Sequence, residues 1–168
     1  MFLANHPATN HTQTVVVNLR MNKLQIKIQI NKRDGLNKSV AKILIDGTDL
    51  IKLLAEFEKP LAKKEGSPDI AGQYEGLNPT TLYNNLHNLA GNSNSEDDKS
   101  DILDCECGVW GCWSFMTKVE KSDDKIIWAN FGQLHRGKES HTYWDYSEFG
   151  PFEFNEIEYN SELEKLKN

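Results

Sequence analysis

The chain has 168 residues, 38% hydrophobic and 26% charged, with a formal net charge of −6, which suits one globular domain and excludes a fibrous or largely disordered chain. It contains no run of about 18 apolar residues that could form a transmembrane helix, and its start lacks the basic and apolar segments of a secretory signal. We therefore expect a soluble, cytoplasmic protein with no membrane partner.

The first part of the chain predicts an arm followed by strands. Residues 1–13 are polar and without periodicity, which indicates a flexible arm. Residues 14–19 are β-branched, and residues 24–30 alternate aliphatic and polar side chains, so that four aliphatics share one face of a strand. The short link between these runs predicts an antiparallel hairpin. A third strand is expected at 41–45.

Two helices are predicted next. Asp49, or the threonine before it, can cap a helix that Pro60 should end, because the residue before proline is pushed out of the α region. The apolar stripe of this helix comprises Leu50, Ile51, Leu54 and Phe57. Residues 63–77 contain glycine and proline and predict a loop. Asn78 can cap a second helix, which Gly91 should close.

The second half of the chain predicts an antiparallel meander. The polar run 92–100 is expected to be a mobile loop. Strands are predicted at 102–107, 112–120 and 125–131. A final helix should begin after Asn155, with a capping-box glutamate three residues on.

Together these elements predict the fold class and the domain organisation. The fold class is α+β, with a mainly antiparallel sheet in two hairpin or meander sections that two or three helices cover. Residues 14–168 are expected to form one domain behind the N-terminal arm.

Three cysteines lie close together at Cys105, Cys107 and Cys112. If residues 108–111 form a tight hairpin loop, Cys107 and Cys112 oppose each other across the two strands, and Cys105 points to the same face. Three converging thiols could hold Zn²⁺, which favours thiolate and imidazole ligands in tetrahedral sets. His135, or alternatively His141, could supply the fourth ligand.

Other interpretations of the cysteines remain open. The plainest is that all three are buried as small apolar residues beneath Trp110 and Trp113, since free cysteine is among the most buried residue types. A disulfide between Cys107 and Cys112 is a second possibility. A nucleophilic cysteine activated by His135 is a third, although it needs a lowered pKa that nothing in the sequence explains.

The C-terminal part of the chain is acidic and aromatic. Residues 139–168 carry eight acids against two bases, whereas residues 1–50 carry seven bases against three acids. An acidic surface disfavours nucleic acid and suits a basic protein partner, although it could equally be a solvated face. Aromatic residues among charges are typical of protein interfaces, although Trp144, Phe152 and Phe154 could instead pack this segment onto the sheet with the acids facing outward. The predicted partner-binding residues are Trp144, Asp145, Tyr146, Glu148, Phe149 and Glu153.

Three blocks carry a resemblance to other proteins: residues 70–77, residues 105–113 and residues 144–152. They read Ile-Ala-Gly-Gln-Tyr-Glu-Gly-Leu, Cys-Glu-Cys-Gly-Val-Trp-Gly-Cys-Trp and Trp-Asp-Tyr-Ser-Glu-Phe-Gly-Pro-Phe. In these blocks the chain resembles a group of small, uncharacterised bacterial proteins. The resemblance implies a bacterial source and one folding unit, and it implies no activity.

Two functional hypotheses follow. The first is a non-enzymatic protein-binding module without a cofactor, such as a bacterial immunity or inhibitor protein that masks a basic toxin. The alternative is a zinc-binding protein, with a structural or hydrolytic site, built on Cys105, Cys107, Cys112 and His135. The sequence contains no phosphate-binding loop, dinucleotide fingerprint or nucleophile elbow, so we assign no catalytic residue.

Overall fold

The structure is a computed structural model that describes residues 20–33, 35–87, 99–107, 109 and 111–167. The predicted arm at 1–13, the predicted strand at 14–19 and most of the polar run 92–100 lie outside these residues. The strands are β1 (Leu24–Arg33), β2 (Leu36–Ile45), β3 (Thr48–Asp49), β4 (Tyr74–Gly76), β5 (Ser100–Cys105), β6 (Phe115–Ser122), β7 (Lys125–Gln133) and β8 (Phe152–Asn155). The helices are α1 (Leu50–Glu65), α2 (Pro79–His87) and α3 (Glu156–Glu164), with short 3-10 turns at Pro68–Ile70 and Lys165–Lys167.

These strands form two antiparallel sheets, and the fold class is α+β, as predicted. The first sheet has the order β1-β2-β3 and the second has the order β4-β5-β6-β7-β8. Apolar side chains from both sheets and from all three helices form one core cluster. Among the described residues, no helix combines the length and apolar character that crossing a membrane requires.

The first sheet confirms the predicted alternation, but only part of the aliphatic face of β1 is buried. Leu24 and Ile26 lie in the core, whereas Ile28 and Ile30 on the same face are 43% and 60% exposed. The reason is that the long β1–β2 hairpin extends past the core at its turn end. The predicted third strand at 41–45 is the second half of β2, so β1 pairs with this strand.

Helix α1 continues through Pro60, so the prediction that Pro60 ends it is wrong. Asp49 caps the helix as predicted, accepting a hydrogen bond from the Ile51 N–H. The helix ends instead at Gly66, whose left-handed backbone lets its own N–H bond back to the last turn. Contacts made by Ala62 and Glu65 after the proline hold the last turn in place, since Ala62 is fully buried and Glu65 is ion-paired.

Strand β4 lies inside the stretch 63–77 that was predicted to be a loop, and this prediction is wrong. Tyr74 pairs with Cys105 of β5, and Gly76 pairs with Leu103. Gly76 also packs against β2 so closely that an added Cβ would lie 2.0 Å from the Ala41 carbonyl oxygen. Gly76 therefore permits close contact between strands and does not mark a turn.

The meander and the last two helices agree with the prediction in type and position. Strands β5, β6 and β7 occupy the predicted places with shifted ends. Asn78 caps α2 by accepting a hydrogen bond from the Thr80 N–H. Asn155 caps α3 through the N–H groups of Ile157 and Glu158. The predicted closing residue of α2, Gly91, lies outside the described residues.

Candidate metal centre

The cysteines lie in and beside the connection between β5 and β6. Pairing between these strands stops at Leu103 and Phe115, β5 ends at Cys105 and β6 begins at Phe115, so the two strands are farther apart along the chain than the predicted tight reversal requires. Cys107 and Cys112 therefore lie outside the strands, and the prediction that they oppose each other in the ladder is wrong.

The three sulfurs nevertheless converge, as predicted. The Sγ atoms of Cys105, Cys107 and Cys112 all lie within 4.8 Å of one another. The backbone turns around the sulfurs: the Cys107 N–H donates to the Cys105 Sγ at 3.3 Å, and the Val109 N–H donates to the Cys107 Sγ at 3.5 Å. A further turn, in which the Cys112 N–H bonds to the Val109 carbonyl at 3.2 Å, brings the third sulfur back.

The three thiols have different surroundings, and all three are free. Cys105 is buried, and this burial, together with the neighbouring thiols, raises its pKa to about 12. Cys107 is exposed, and hydrogen bonds from the Cys105 side chain and the Val109 N–H lower its pKa, with a contribution from the positive charge of Arg33. Cys112 is also exposed. Packing as small apolar residues therefore describes Cys105 alone.

His135 does not complete the cluster as the predicted fourth ligand. Its Nε2 lies 3.1 Å from the Gly111 carbonyl oxygen. Among the described residues, neither His135 nor His141 contributes a nitrogen to the group that the three sulfurs form. The end of β7 instead supports the loop, because the Leu134 N–H donates to the Ser114 carbonyl at 3.0 Å. His135 is thus a neighbour of the cysteine loop that contacts its backbone.

Arg136 anchors the other side of the loop. Its guanidinium carbon lies 5.0 Å from the ring centroids of both Trp113 and Trp144, a cation–π arrangement. Its Nη2 atom lies 2.8 Å from the Glu65 Oε1, and the Trp144 Nε1–H donates to the other Glu65 oxygen at 2.8 Å. Because Trp113 directly follows Cys112, this cluster ties the cysteine loop to α1.

A second buried polar group lies on α1 at Glu58. Its Oε1 accepts hydrogen bonds from the hydroxyls of Tyr74 and Tyr146, both at 2.7 Å, and its Oε2 accepts one from the Gly72 N–H at 2.8 Å. Burial raises the pKa of the Glu58 carboxyl, and the three hydrogen bonds and the charge of Arg136 offset part of this effect. Every oxygen has a donor, so this group links α1 to β4 and to the C-terminal segment.

The predicted partner-binding residues separate into two groups. Trp144, Tyr146 and Phe149 are buried in the core, which agrees with the alternative that these rings pack onto the sheet and does not agree with a role as exposed anchors. Tyr146 and Phe149 pack against Phe57 and Phe115, with ring centroids 5.2–5.8 Å apart, and Trp144 packs against Trp113 at 6.3 Å. The acidic members are more accessible: Asp145 and Glu148 are exposed, and Glu153 is half-buried beside Lys125.

Sequence reasoning missed Glu58, Glu65 and Arg136. One signal for Glu58 was available, because the buried positions of α1 are Leu50, Leu54, Glu58 and Ala62, spaced four apart. A carboxylate on an apolar stripe indicates a buried acid with partners. No comparable signal marks Arg136, which lies in a polar loop and finds Glu65 only through the tertiary fold.

Comparisons of the chain with protein-family models, curated proteins and solved structures find no match. The resemblance to small bacterial proteins therefore stays a prediction. What the protein does has to be inferred from the geometry of its own side chains.

Proposed function

We propose that this protein binds one zinc ion through Cys105, Cys107 and Cys112. The observation that supports this function is the convergence of the three sulfurs within 4.8 Å. In a tetrahedral site with Zn–S bonds of 2.3 Å, the sulfurs are about 3.8 Å apart. Small side-chain rotations would therefore be enough to close the group around an ion.

The backbone around the cysteines supports the same proposal. N–H groups directed at Cys105 and Cys107 favour the thiolate, which is the ligand form that zinc requires. At Cys105 this hydrogen bond opposes the effect of burial, which raises the pKa of the thiol. Hydrogen bonds of this kind belong to the outer shell that orients the ligands of a metal site. The exposure of Cys107 and Cys112 gives an ion a route of entry.

Contacts with the rest of the fold hold the cysteine loop in place independently of a bound metal. Arg136 holds Trp113 against α1, and the end of β7 holds Ser114 and Gly111. The ligands are thus carried by a segment that the fold positions, which lowers the cost of ordering them around an ion. We therefore expect zinc to add stability without being needed for folding.

The first test is metal content, measured on the full chain by elemental analysis and native mass spectrometry. We expect one zinc per chain, and in Cys112→Ser a loss of affinity greater than the roughly 10- to 100-fold effect of removing an outer-shell partner. Val109→Ala, an exposed position in the same loop, serves as the control and should keep its zinc. Metal-free protein after exposure to zinc, or full zinc content in Cys112→Ser, would overturn the proposal.

His135→Ala separates this three-sulfur set from the set of four that the sequence predicted. Because the His135 Nε2 contacts the Gly111 carbonyl, we expect the variant to keep one zinc per chain. A loss of zinc as complete as that of Cys112→Ser would instead show that His135 is a ligand.

The protein-binding hypothesis retains only part of its original basis. Its three aromatic anchors are buried, so a surface for a basic partner would rest on the carboxylates of Asp145, Glu148 and Glu153. The immunity or inhibitor function therefore stays a prediction. The converging sulfurs make zinc binding the function that the geometry supports best.

A further inference from the structure

A tetrahedral zinc ion has four coordination positions, and the described residues bring together three donors. The described residues contribute three sulfurs to the group, and the nearby His135 imidazole faces the Gly111 carbonyl. Zinc sites with three protein ligands keep the fourth position for water or a substrate. An exogenous ligand is therefore the natural occupant of this position.

The surroundings of the cluster admit a small molecule. Cys107 and Cys112 are exposed, and an open groove of about 470 Å³ reaches the cysteine loop at Glu106. The groove runs from the end of β1, where Lys32 and Arg33 line it, to Glu106, which lies between two of the cysteines. The groove is open to solvent, so a small molecule can reach the cysteine loop from this side.

The charges in the groove leave a cation beside the loop. Glu75 is already satisfied, because Lys38 donates to one of its oxygens at 2.7 Å and Asn31 donates to the other at 2.8 Å. The Arg33 Nη1 is 3.6 Å from Glu75 and has no hydrogen-bond partner among the described residues. Glu75 is thus shared by Arg33 and by Lys38, which lies outside the groove lining, so the three cations Lys32, Arg33 and Lys38 outweigh the two carboxylates Glu75 and Glu106.

We propose that the zinc site binds a small exogenous thiol at its fourth position and holds it as the thiolate. This inference rests on the proposed zinc site and names its ligand. A water molecule leaves the metal, the thiol sulfur takes its place, and the thiol proton passes to solvent; no electron is transferred. A sulfur-rich set favours a further soft donor, and a thiol coordinated to zinc is deprotonated outright.

The position of Arg33 suits this ligand. Three thiolates on Zn²⁺ leave one negative charge, and a fourth thiolate adds another. A guanidinium in the adjoining groove offsets part of that charge. Metal coordination is one of the ways in which a nucleophile becomes active near neutral pH, so the bound thiolate would be available to an electrophile.

The experiment uses the full chain with Co²⁺ in place of zinc, because sulfur-to-cobalt absorption reports the number of bound thiolates. Titration with 2-mercaptoethanol should raise this absorption by about one third as four thiolates replace three, and saturate. Acetate and inorganic phosphate are titrated separately and should leave the sulfur band unchanged. A response to these oxyanions but not to the thiol would overturn the proposal and identify an oxyanion ligand instead.

Two variants sharpen the result. Arg33→Gln should weaken the thiol response about fivefold while keeping one metal per chain. The control is Lys27→Gln, which removes the same charge from an exposed position of β1 outside the groove and should respond like the parent protein. Equal weakening in both variants would overturn the role of Arg33.

The outcomes also distinguish the two proposals. A chain that binds neither cobalt nor zinc contradicts the proposed function itself. If the chain binds one metal but its spectrum does not change with thiol, the proposed thiol site is contradicted and the proposed zinc binding stands. A thiol response that appears only in His135→Ala has the same meaning, because it shows that His135 fills the position in the parent protein.

Discussion

Glu58 accepts three hydrogen bonds inside the core, while burial raises the pKa of its carboxyl group. A raised pKa means that the folded protein prefers the neutral acid. The stabilisation from this group is therefore complete below its ordinary pKa of 4.5 and is lost as the pH rises through the pKa of the folded state. At residue scale this acid makes stability depend on pH.

We predict that Glu58→Gln removes this dependence, because glutamine does not titrate. The free energy of unfolding of the variant should improve relative to the parent as the pH rises above 4.5, by at most about 1.4 kcal/mol per pH unit. Urea denaturation at a series of pH values measures the difference. A difference that stays constant with pH would contradict the assignment.

The matched control is Glu56→Gln on the same helix. Glu56 is exposed, and its hydrogen bond with Lys59 lowers its pKa. The stabilisation from Glu56 is therefore present above pH 4.5 and lost as the pH falls through its lowered pKa. The two variants should change the pH profile in opposite directions.

At the scale of elements, α1 shows how tertiary contacts override a local signal. Pro60 lies inside the helix, although proline removes an N–H and clashes with the preceding turn. Buried or bonded side chains lie on both sides of it, with Glu58 before and Ala62 and Glu65 after. The stabilisation from these contacts exceeds the local cost of the proline. Their partners lie far away in the sequence, so the residues around Pro60 do not reveal them.

We predict that Pro60→Ala stabilises the protein. Pro60 is exposed, so the substitution loses little packing, and it restores a helical hydrogen bond at a position where proline costs about 3 kcal/mol relative to alanine. The lost rigidity of the unfolded chain offsets part of this gain, so we expect an increase of about 1–2 kcal/mol in the free energy of unfolding.

Lys52→Ala provides the comparison, because Lys52 is also an exposed residue of α1. Its effect on the free energy of unfolding should stay within about 0.5 kcal/mol. Thermal and urea denaturation of both variants test the pair. A destabilised Pro60→Ala would show that the proline fits this helix better than its local geometry suggests.

At the scale of the whole molecule, backbone-to-backbone hydrogen bonds join the two sheets at two places among the described residues. The Ala41 N–H of β2 donates to the Leu77 carbonyl just after β4, at 2.8 Å. The Asn22 N–H before β1 donates to the Glu153 carbonyl of β8 at 2.7 Å. The first junction requires glycine at position 76, because an added Cβ would meet the Ala41 carbonyl.

We predict that Gly76→Ala destabilises the whole fold by about 3 kcal/mol, since the overlap is with backbone that cannot rotate away. Denaturation measured by both fluorescence and circular dichroism should shift together. Gly137→Ala is the control, because an added Cβ there meets open space, and it should change stability by less than about 0.5 kcal/mol. Equal stability of the two variants would show that the junction adjusts easily.

The sequence by itself determined the features that depend on neighbours a few residues apart. The alternation in β1, the caps at Asp49 and Asn155, and the α+β class were predicted because period and capping are local properties. It also predicted that the three sulfurs converge, since their close spacing leaves few alternatives, although it assigned the wrong loop geometry.

Only the tertiary structure decided the features that join distant parts of the chain. Tyr146 reaches Glu58 across 88 positions, Trp144 reaches Glu65 across 79, and β4 exists because β5 and β2 lie on either side of it. Such contacts depend on how the elements pack, and no window of sequence contains both partners. The burial of Trp144, and with it the loss of the predicted aromatic anchors, was decided in the same way.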